Sequence, residues 1–113
     1  QILGIGANGH IGFNEPADGL SAETHVATLT RATREASAQR FGQDWTQVPE
    51  HALSMGMATI LGARDIILIA TGPGKADAVK GMVDGPITTR LPASLLQVHT
   101  SVTVMVDREA WPR

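Results

Sequence analysis

Asn8, His10, Asn14 and Glu15 set four polar side chains within eight residues, on a segment from Gly4 to Pro16 that is otherwise mostly glycine and apolar. A histidine and a glutamate a few residues apart on a tight loop can meet. The carboxylate then fixes the imidazole tautomer and tunes its basicity near neutral pH, which is what general acid–base work requires. A surface loop whose polar groups only satisfy turn backbone is the competing reading, and the local pattern leaves both open. Gly4, Gly6 and Gly9 also spell G-x-G-x-x-G, with Glu23 at about the distance of a ribose ligand. That dinucleotide fingerprint needs its third glycine in the first turns of a helix facing the pyrophosphate. Gly12 and Pro16 follow too closely for a regular helix of useful length. An active-site loop at a strand's carboxyl end fits the segment better.

A second candidate is Thr71-Gly72-Pro73-Gly74-Lys75, which follows an apolar run and opens a helix. Free N–H groups at such a helix start, with one lysine, suit a phosphate or another anion. The segment lacks the spacing and the Lys-Ser/Thr ending of a nucleotide P-loop, and an ordinary strand–helix turn reads the same way. The four histidines, His10, His25, His51 and His99, show no i,i+4 pair on an expected helix, so no metal site is expected. His25 and His51 read as surface residues and His99 as structural. Asp65 and Asp107 flank strands as turn or cap residues.

These residues need elements to hold them. Residues 1–4 read as the tail of a strand. A short strand is expected near Val26–Leu29, then a polar helix from about Thr30 to Phe41, N-capped by Thr30 or Thr33 and closed by Gly42. Pro49 is expected to open a further helical stretch with Leu53, Met57, Ile60 and Leu61 on one face. Ile66 to Ala70 reads as a strand buried on both faces. Ala76, Val79 and Val83 mark the inner face of the next helix, Gly85-Pro86 breaks it, and a short helix near Ser94–Gln97 precedes a strand from Val102 to Val106. Strand–helix–strand units with short loops predict a layered, Rossmann-like α/β/α fold with a mostly parallel sheet.

The composition adds exclusions. The 113 residues carry 11 acids and 9 bases, a net charge of -2 spread along the chain, so no nucleic-acid footprint exists. Phe13, Phe41, Trp45 and Trp111 are the only aromatics of the Phe, Trp and Tyr type, which leaves few platforms for stacked bases. No apolar run reaches the roughly 18 residues of a membrane span. The absence of cysteine excludes disulfides, thiolate metal sites and a cysteine nucleophile, and is compatible with a cytoplasmic protein. Gln1-Ile2-Leu3 runs at once into the glycine loop, where a strand of ordinary length starts earlier, and this raises the expectation of a piece of a larger protein.

The stretch Leu3 to Pro16, LGIGANGHIGFNEP, closely resembles the signature of the glucosamine-6-phosphate deaminase/isomerase family. The resemblance runs on through Thr28-Leu29-Thr30, Val48-Pro49, Ala52 to Gly56, Thr59 to Leu61, Thr71 to Ala76, Pro92 to Gln97 and Val102 to Asp107. The related 6-phosphogluconolactonases share the glycine–histidine core but not the Phe13-Asn14-Glu15-Pro16 ending. The resemblance implies a cytoplasmic hydrolase and isomerase of amino-sugar catabolism. Such an enzyme turns glucosamine 6-phosphate and water into fructose 6-phosphate and ammonia without a cofactor. It implies that His10 opens the sugar ring, that Glu15 and Asn8 orient and tune it, and that Lys75 holds the substrate phosphate. Gly6, Gly9, Gly12 and an arginine at Arg40 or one position earlier, where Gln39 stands, are implied to complete the substrate site. Some members have Asp in place of Asn8; an amide hydrogen-bonds but supplies no charge.

Family members are about twice this length. The resemblance therefore implies that residues 1–113 are the C-terminal portion of a single domain. The absent N-terminal half would carry a further glycine loop and the aspartate that takes the carbon-bound proton. This chain alone is then expected to be inactive. A galactosamine-6-phosphate deaminase shares the chemistry. A sugar-phosphate-binding regulator of the same fold is a second alternative, opposed by the intact His10 and Glu15. Activation by an amino-sugar phosphate is not expected, because the basic residues of the allosteric site are not evident around His25 to Thr28. The expected partner is a small amino-sugar phosphate; a homo-oligomer stays open.

Overall fold

The computed structural model describes residues 1–112. Its centre is a three-stranded parallel sheet in the order β1 (Ile2–Leu3), β4 (Ile66–Ala70), β5 (Val102–Val106). β4 pairs on both sides, with Ile2 opposite Ile67 and Ile67 opposite Thr103. A separate antiparallel pair joins β2 (His25–Thr28) to β3 (His51–Ser54). Three α-helices connect them: α1 (Arg31–Ala36), α2 (Met57–Leu61) and α3 (Ala76–Asp84). Pro92–Val98 forms a 3₁₀ helix. No helix among the described residues is long and apolar enough to cross a membrane.

Alternation along the strands decides where the core sits. Leu3, Ile66, Leu68 and Ala70 point to one face and are buried with Met57 and Ile60 of α2, Ala78, Val79 and Met82 of α3, and Ala93 and Leu96 of the 3₁₀ helix. The opposite face carries Ile2, Ile67, Ile69 and Met105, 36–70% exposed. The double burial expected for Ile66–Ala70 is therefore replaced by strict in–out alternation, and helices cover one face of the sheet among the described residues.

Other expectations shift for physical reasons. The helix expected from Pro49 is not formed there. Residues 51–54 form β3 instead, because four backbone positions pair with β2 and outweigh the helical pattern of Ala52-Leu53-Ser54. Leu53 is 76% exposed rather than on a buried face, and the helix begins at Met57. Gly56 fixes that start: its Cα lies against the backbone of Ala22 and Glu23, where no side chain fits. Val83 is exposed and Met82 takes its place on the inner face of α3, one residue out of the expected phase. The polar helix after Thr30 forms with Thr30 as N-cap, but it breaks at Ser37 into a 3₁₀ turn over Ala38–Phe41, closed by Gly42 at φ 72°.

Candidate active site

The Gly4–Pro16 loop leaves the carboxyl end of β1 and is pinned by two buried apolar residues, Ile5 and Ile11. Between them the Gly6 N–H donates to the His10 carbonyl and the Gly9 N–H to the Gly6 carbonyl, both at 2.9 Å, which closes a tight turn. Gly6 is required by close approach, since a Cβ there would overlap the His10 ring. Beyond the turn, Asn14 Nδ2 donates to the carbonyls of Ile11 (3.0 Å) and Met55 (2.8 Å), and the Phe13 N–H donates to Ser54 Oγ (2.9 Å). Residues 11–14 form an isolated bridge, not a helix, so the requirement for a dinucleotide fingerprint is not met.

The polar side chains converge. Asn8 Nδ2 donates to Glu15 Oε2 at 2.9 Å, and Asn8 Oδ1 accepts from the His10 N–H at 3.2 Å and lies 2.8 Å from His10 Nδ1. An ionised carboxylate only accepts, so the amide nitrogen must face Glu15 and the amide oxygen must face the histidine. His10 Nδ1 therefore carries the proton, and Nε2 is left as the basic nitrogen. Nε2 has no hydrogen-bond partner among the described residues, and the ring borders an open cleft. Burial holds the imidazole below the usual histidine value; Glu15 opposes this and the Lys75 ammonium reinforces it. A mostly neutral imidazole with a free Nε2 is a competent base at neutral pH.

Thr33 of α1 belongs to the same cluster. Its hydroxyl donates to Glu15 Oε1 at 2.6 Å and lies 3.4 Å from His10 Nδ1. Sequence reasoning places Thr33 only as an alternative helix cap; nothing local to Thr30–Thr33 points across to a loop eighteen residues earlier.

The cleft encloses about 1000 Å³ and is bordered by Asn8, His10, Thr33, Ser37, Arg40 and Lys75, among others. Arg40 reaches it and Gln39 does not. Gly6 and Gly12 border it too, whereas Gly9, at φ 86°, turns away and packs against Leu91. The positive φ and the Leu91 contact account for a glycine at position 9 by turn geometry and packing. The Thr71–Lys75 turn opens α3 as expected, but only Lys75 of it borders the cleft. Its Nζ donates to the Ile5 carbonyl at 2.7 Å. The Gly72 N–H is already taken by both carboxylate oxygens of Asp107 (3.1 and 3.2 Å), which also caps Ala110 at 2.8 Å. Of the residues expected to hold an anion at the start of α3, the Gly72 N–H is thus occupied, and Lys75 is the one that borders the cleft. Asp107 is the cap the sequence suggests. His99 is structural: Nδ1 accepts from the Ser101 N–H, so Nε2 donates to the Ala63 carbonyl. His51 is exposed and His25 half-buried, its ring hydrogen-bonded among the described residues to the Glu23 carbonyl alone.

A profile describing glucosamine-6-phosphate isomerases/6-phosphogluconolactonase matches residues 1–105. The chain belongs to that family. Within it, the glucosamine-6-phosphate deaminase of Streptococcus gordonii is 54% identical over 110 residues, covering 97% of this chain and 46% of the relative. The deaminase of Streptomyces coelicolor is 52% identical over 110 residues, at 97% and 42% coverage. A solved monomeric glucosamine-6-phosphate deaminase superposes with a TM-score of 0.90 at 49% identity, covering 97% of this chain and 45% of that one. The 6-phosphogluconolactonase from Trypanosoma cruzi matches with a TM-score of 0.70 at 22% identity and 96% and 38% coverage, a likeness of fold. This family member therefore spans about half the length of the curated relatives it matches.

Proposed function

We propose that residues 1–113 carry the ring-opening and phosphate-holding part of a glucosamine-6-phosphate deaminase, an aldose–ketose isomerisation coupled to hydrolytic release of ammonia. The observation that carries the reading is the His10 imidazole, protonated at Nδ1 toward Asn8 and free at Nε2 in the cleft. Nε2 takes the proton of the anomeric hydroxyl, the bond from the anomeric carbon to the ring oxygen breaks, and the ring oxygen receives the proton. An open-chain aldehyde results. Lys75 and Arg40, the cations bordering the cleft, hold the phosphate. The names of the Streptococcus and Streptomyces relatives support the choice of substrate, as does the Phe13-Asn14-Glu15-Pro16 ending. The reading places the parent activity among cytoplasmic enzymes of amino-sugar catabolism.

Enolisation of the aldehyde needs a base for the carbon-bound proton, and none of the described residues bordering the cleft is a carboxylate. The chain by itself accordingly opens and recloses the ring without making ketose. The test is exchange between the two anomers of glucosamine 6-phosphate, followed by NMR in the presence of the purified 113-residue chain. Faster exchange that His10→Gln abolishes is the expected result. Unchanged exchange despite measurable binding of the sugar phosphate would move the reading to a binding protein. Faster exchange with galactosamine 6-phosphate alone would move it to the epimer, and ammonia release from the 113-residue chain would overturn its incompleteness.

A further inference from the structure

His10 Nδ1 has three oxygen neighbours, and one is much the nearest: Asn8 Oδ1 at 2.8 Å, against Thr33 Oγ1 at 3.4 Å and Glu15 Oε1 at 3.5 Å. The carboxylate is the strongest acceptor of the three, so something must keep it back. Thr33 is 6% exposed, and its hydroxyl has a single proton. Thr30 Oγ1 accepts from the Thr33 N–H at 3.2 Å and donates to Thr33 Oγ1 at 3.1 Å. The Thr33 proton therefore points to Glu15, at 2.6 Å the shortest hydrogen bond in the cluster. On its other side Glu15 is held through Oε2 by Asn8. Both carboxylate oxygens are occupied, each by a donor that is itself fixed.

We propose that Thr33 is a positioning residue for His10: by holding Glu15 Oε1 it makes the neutral Asn8 amide, and not the carboxylate, the acceptor of the imidazole proton. An imidazole paired with an amide gives up its extra proton more readily than one paired directly with a carboxylate, so the Thr33 hydroxyl keeps Nε2 unprotonated at neutral pH. The groups facing His10 are Asn8 and Glu15 from its own loop, Thr33 from α1 and Lys75 from the turn before α3; Gly6 packs on the ring but carries no charge. Removing the hydroxyl lets Oε1 close the gap to Nδ1, and the resulting ion pair holds the proton on histidine to higher pH. The inference rests on His10 acting as the base, but its readout does not require turnover.

The experiment is an NMR titration of the His10 ring in the 113-residue chain, comparing wild type, Thr33→Val, Thr33→Ser and Thr33→Val with Glu15→Gln. The His10 midpoint is expected to rise by about one pH unit, a tenfold change in its protonation equilibrium, in Thr33→Val. Thr33→Ser, which keeps the hydroxyl, is expected to restore the wild-type midpoint. The rise should vanish when Glu15 is also replaced. A folded Thr33→Val whose midpoint is unmoved or lower, or a rise that survives Glu15→Gln, would overturn the proposal. If Thr33→Val does not fold, Thr33→Ala, which removes the hydroxyl without adding bulk, is read by the same criteria. Anomer exchange separates the two readings. Its absence in a wild-type chain that shows these shifts would remove the ring-opening function and leave the positioning role of Thr33 intact.

Discussion

Two loops leave the carboxyl ends of the neighbouring strands β1 and β4, and they are built on opposite plans. The Gly4–Pro16 loop surrounds one imidazole with partners that are themselves held: Asn8 by Glu15, Glu15 by Thr33, Thr33 by Thr30. The Thr71–Lys75 turn is braced only at its backbone, by Asp107 on the Gly72 N–H. It ends in a lysine whose single side-chain hydrogen bond among the described residues is to the Ile5 carbonyl. A base that moves protons must have its tautomer and ring plane set in advance, whereas a cation that holds a phosphate needs charge and reach. On the proposed function, the difference in construction follows the difference in task.

The Gly4–Pro16 loop is most sensitive at Gly6. Gly6→Ala puts a methyl group into the imidazole, so the ring must leave its seat. An overpacking cost of about 1–3 kcal/mol in urea unfolding is expected, with loss of His10-dependent anomer exchange by about 100-fold. Retained exchange would mean that the ring does not depend on its seat. Asn8→Asp is the next largest change, since it sets a carboxylate where the amide oxygen now lies, 2.8 Å from Nδ1. The His10 midpoint should rise by about one to three pH units in an NMR titration, carrying the acid limb of the exchange rate with it.

Lys75→Met sharpens the contrast from the other side. Affinity for the sugar phosphate in a binding titration should fall about 10- to 100-fold, the worth of a charge-assisted hydrogen bond. Unfolding free energy should stay within about 0.5 kcal/mol, because the turn keeps its Asp107 brace. The His10 midpoint should also rise slightly, since the ammonium now pushes it down. The smallest effect is on stability against pH. His10 titrates lower in the folded than in the unfolded chain, so the unfolded chain binds the extra proton first. Its contribution to stability is complete above the usual histidine value and is lost as pH falls through the folded value. Urea midpoints measured across this window should show a step that His10→Gln flattens.

The residues of the first loop were readable because the chemistry is local: Asn8, His10 and Glu15 lie within one turn-rich segment, and their spacing alone lets them meet. The parallel strands were readable for the same reason, each being a short apolar run between turn residues. Thr33, by contrast, acts across the fold, and a threonine in a helix's first turn looks like any cap. β3 has a helical local pattern, and its pairing with β2 depends on residues more than twenty positions away. At Val83 the phase shifts because two adjacent apolar residues, Met82 and Val83, compete for one inward position, and methionine is the one buried in the core shared with the neighbouring 3₁₀ helix. At Gly9 the motif alone gives no sign of the packing reason for a glycine, which its neighbour Leu91 supplies.

The sheet face left exposed by the described residues bears on how this 113-residue chain reports its own condition. Ile2, Ile67, Ile69 and Met105 present a plane of aliphatic side chains to water on a scaffold whose other face is well packed. Hydrophobic dyes such as ANS, commonly used as indicators of a loosened interior, have a docking plane here in the folded 113-residue chain. Fluorescence enhancement on mixing with the 113-residue chain would therefore come from its folded surface, and a drop on unfolding, in step with loss of the near-ultraviolet signal of Trp45 and Trp111, would be its signature.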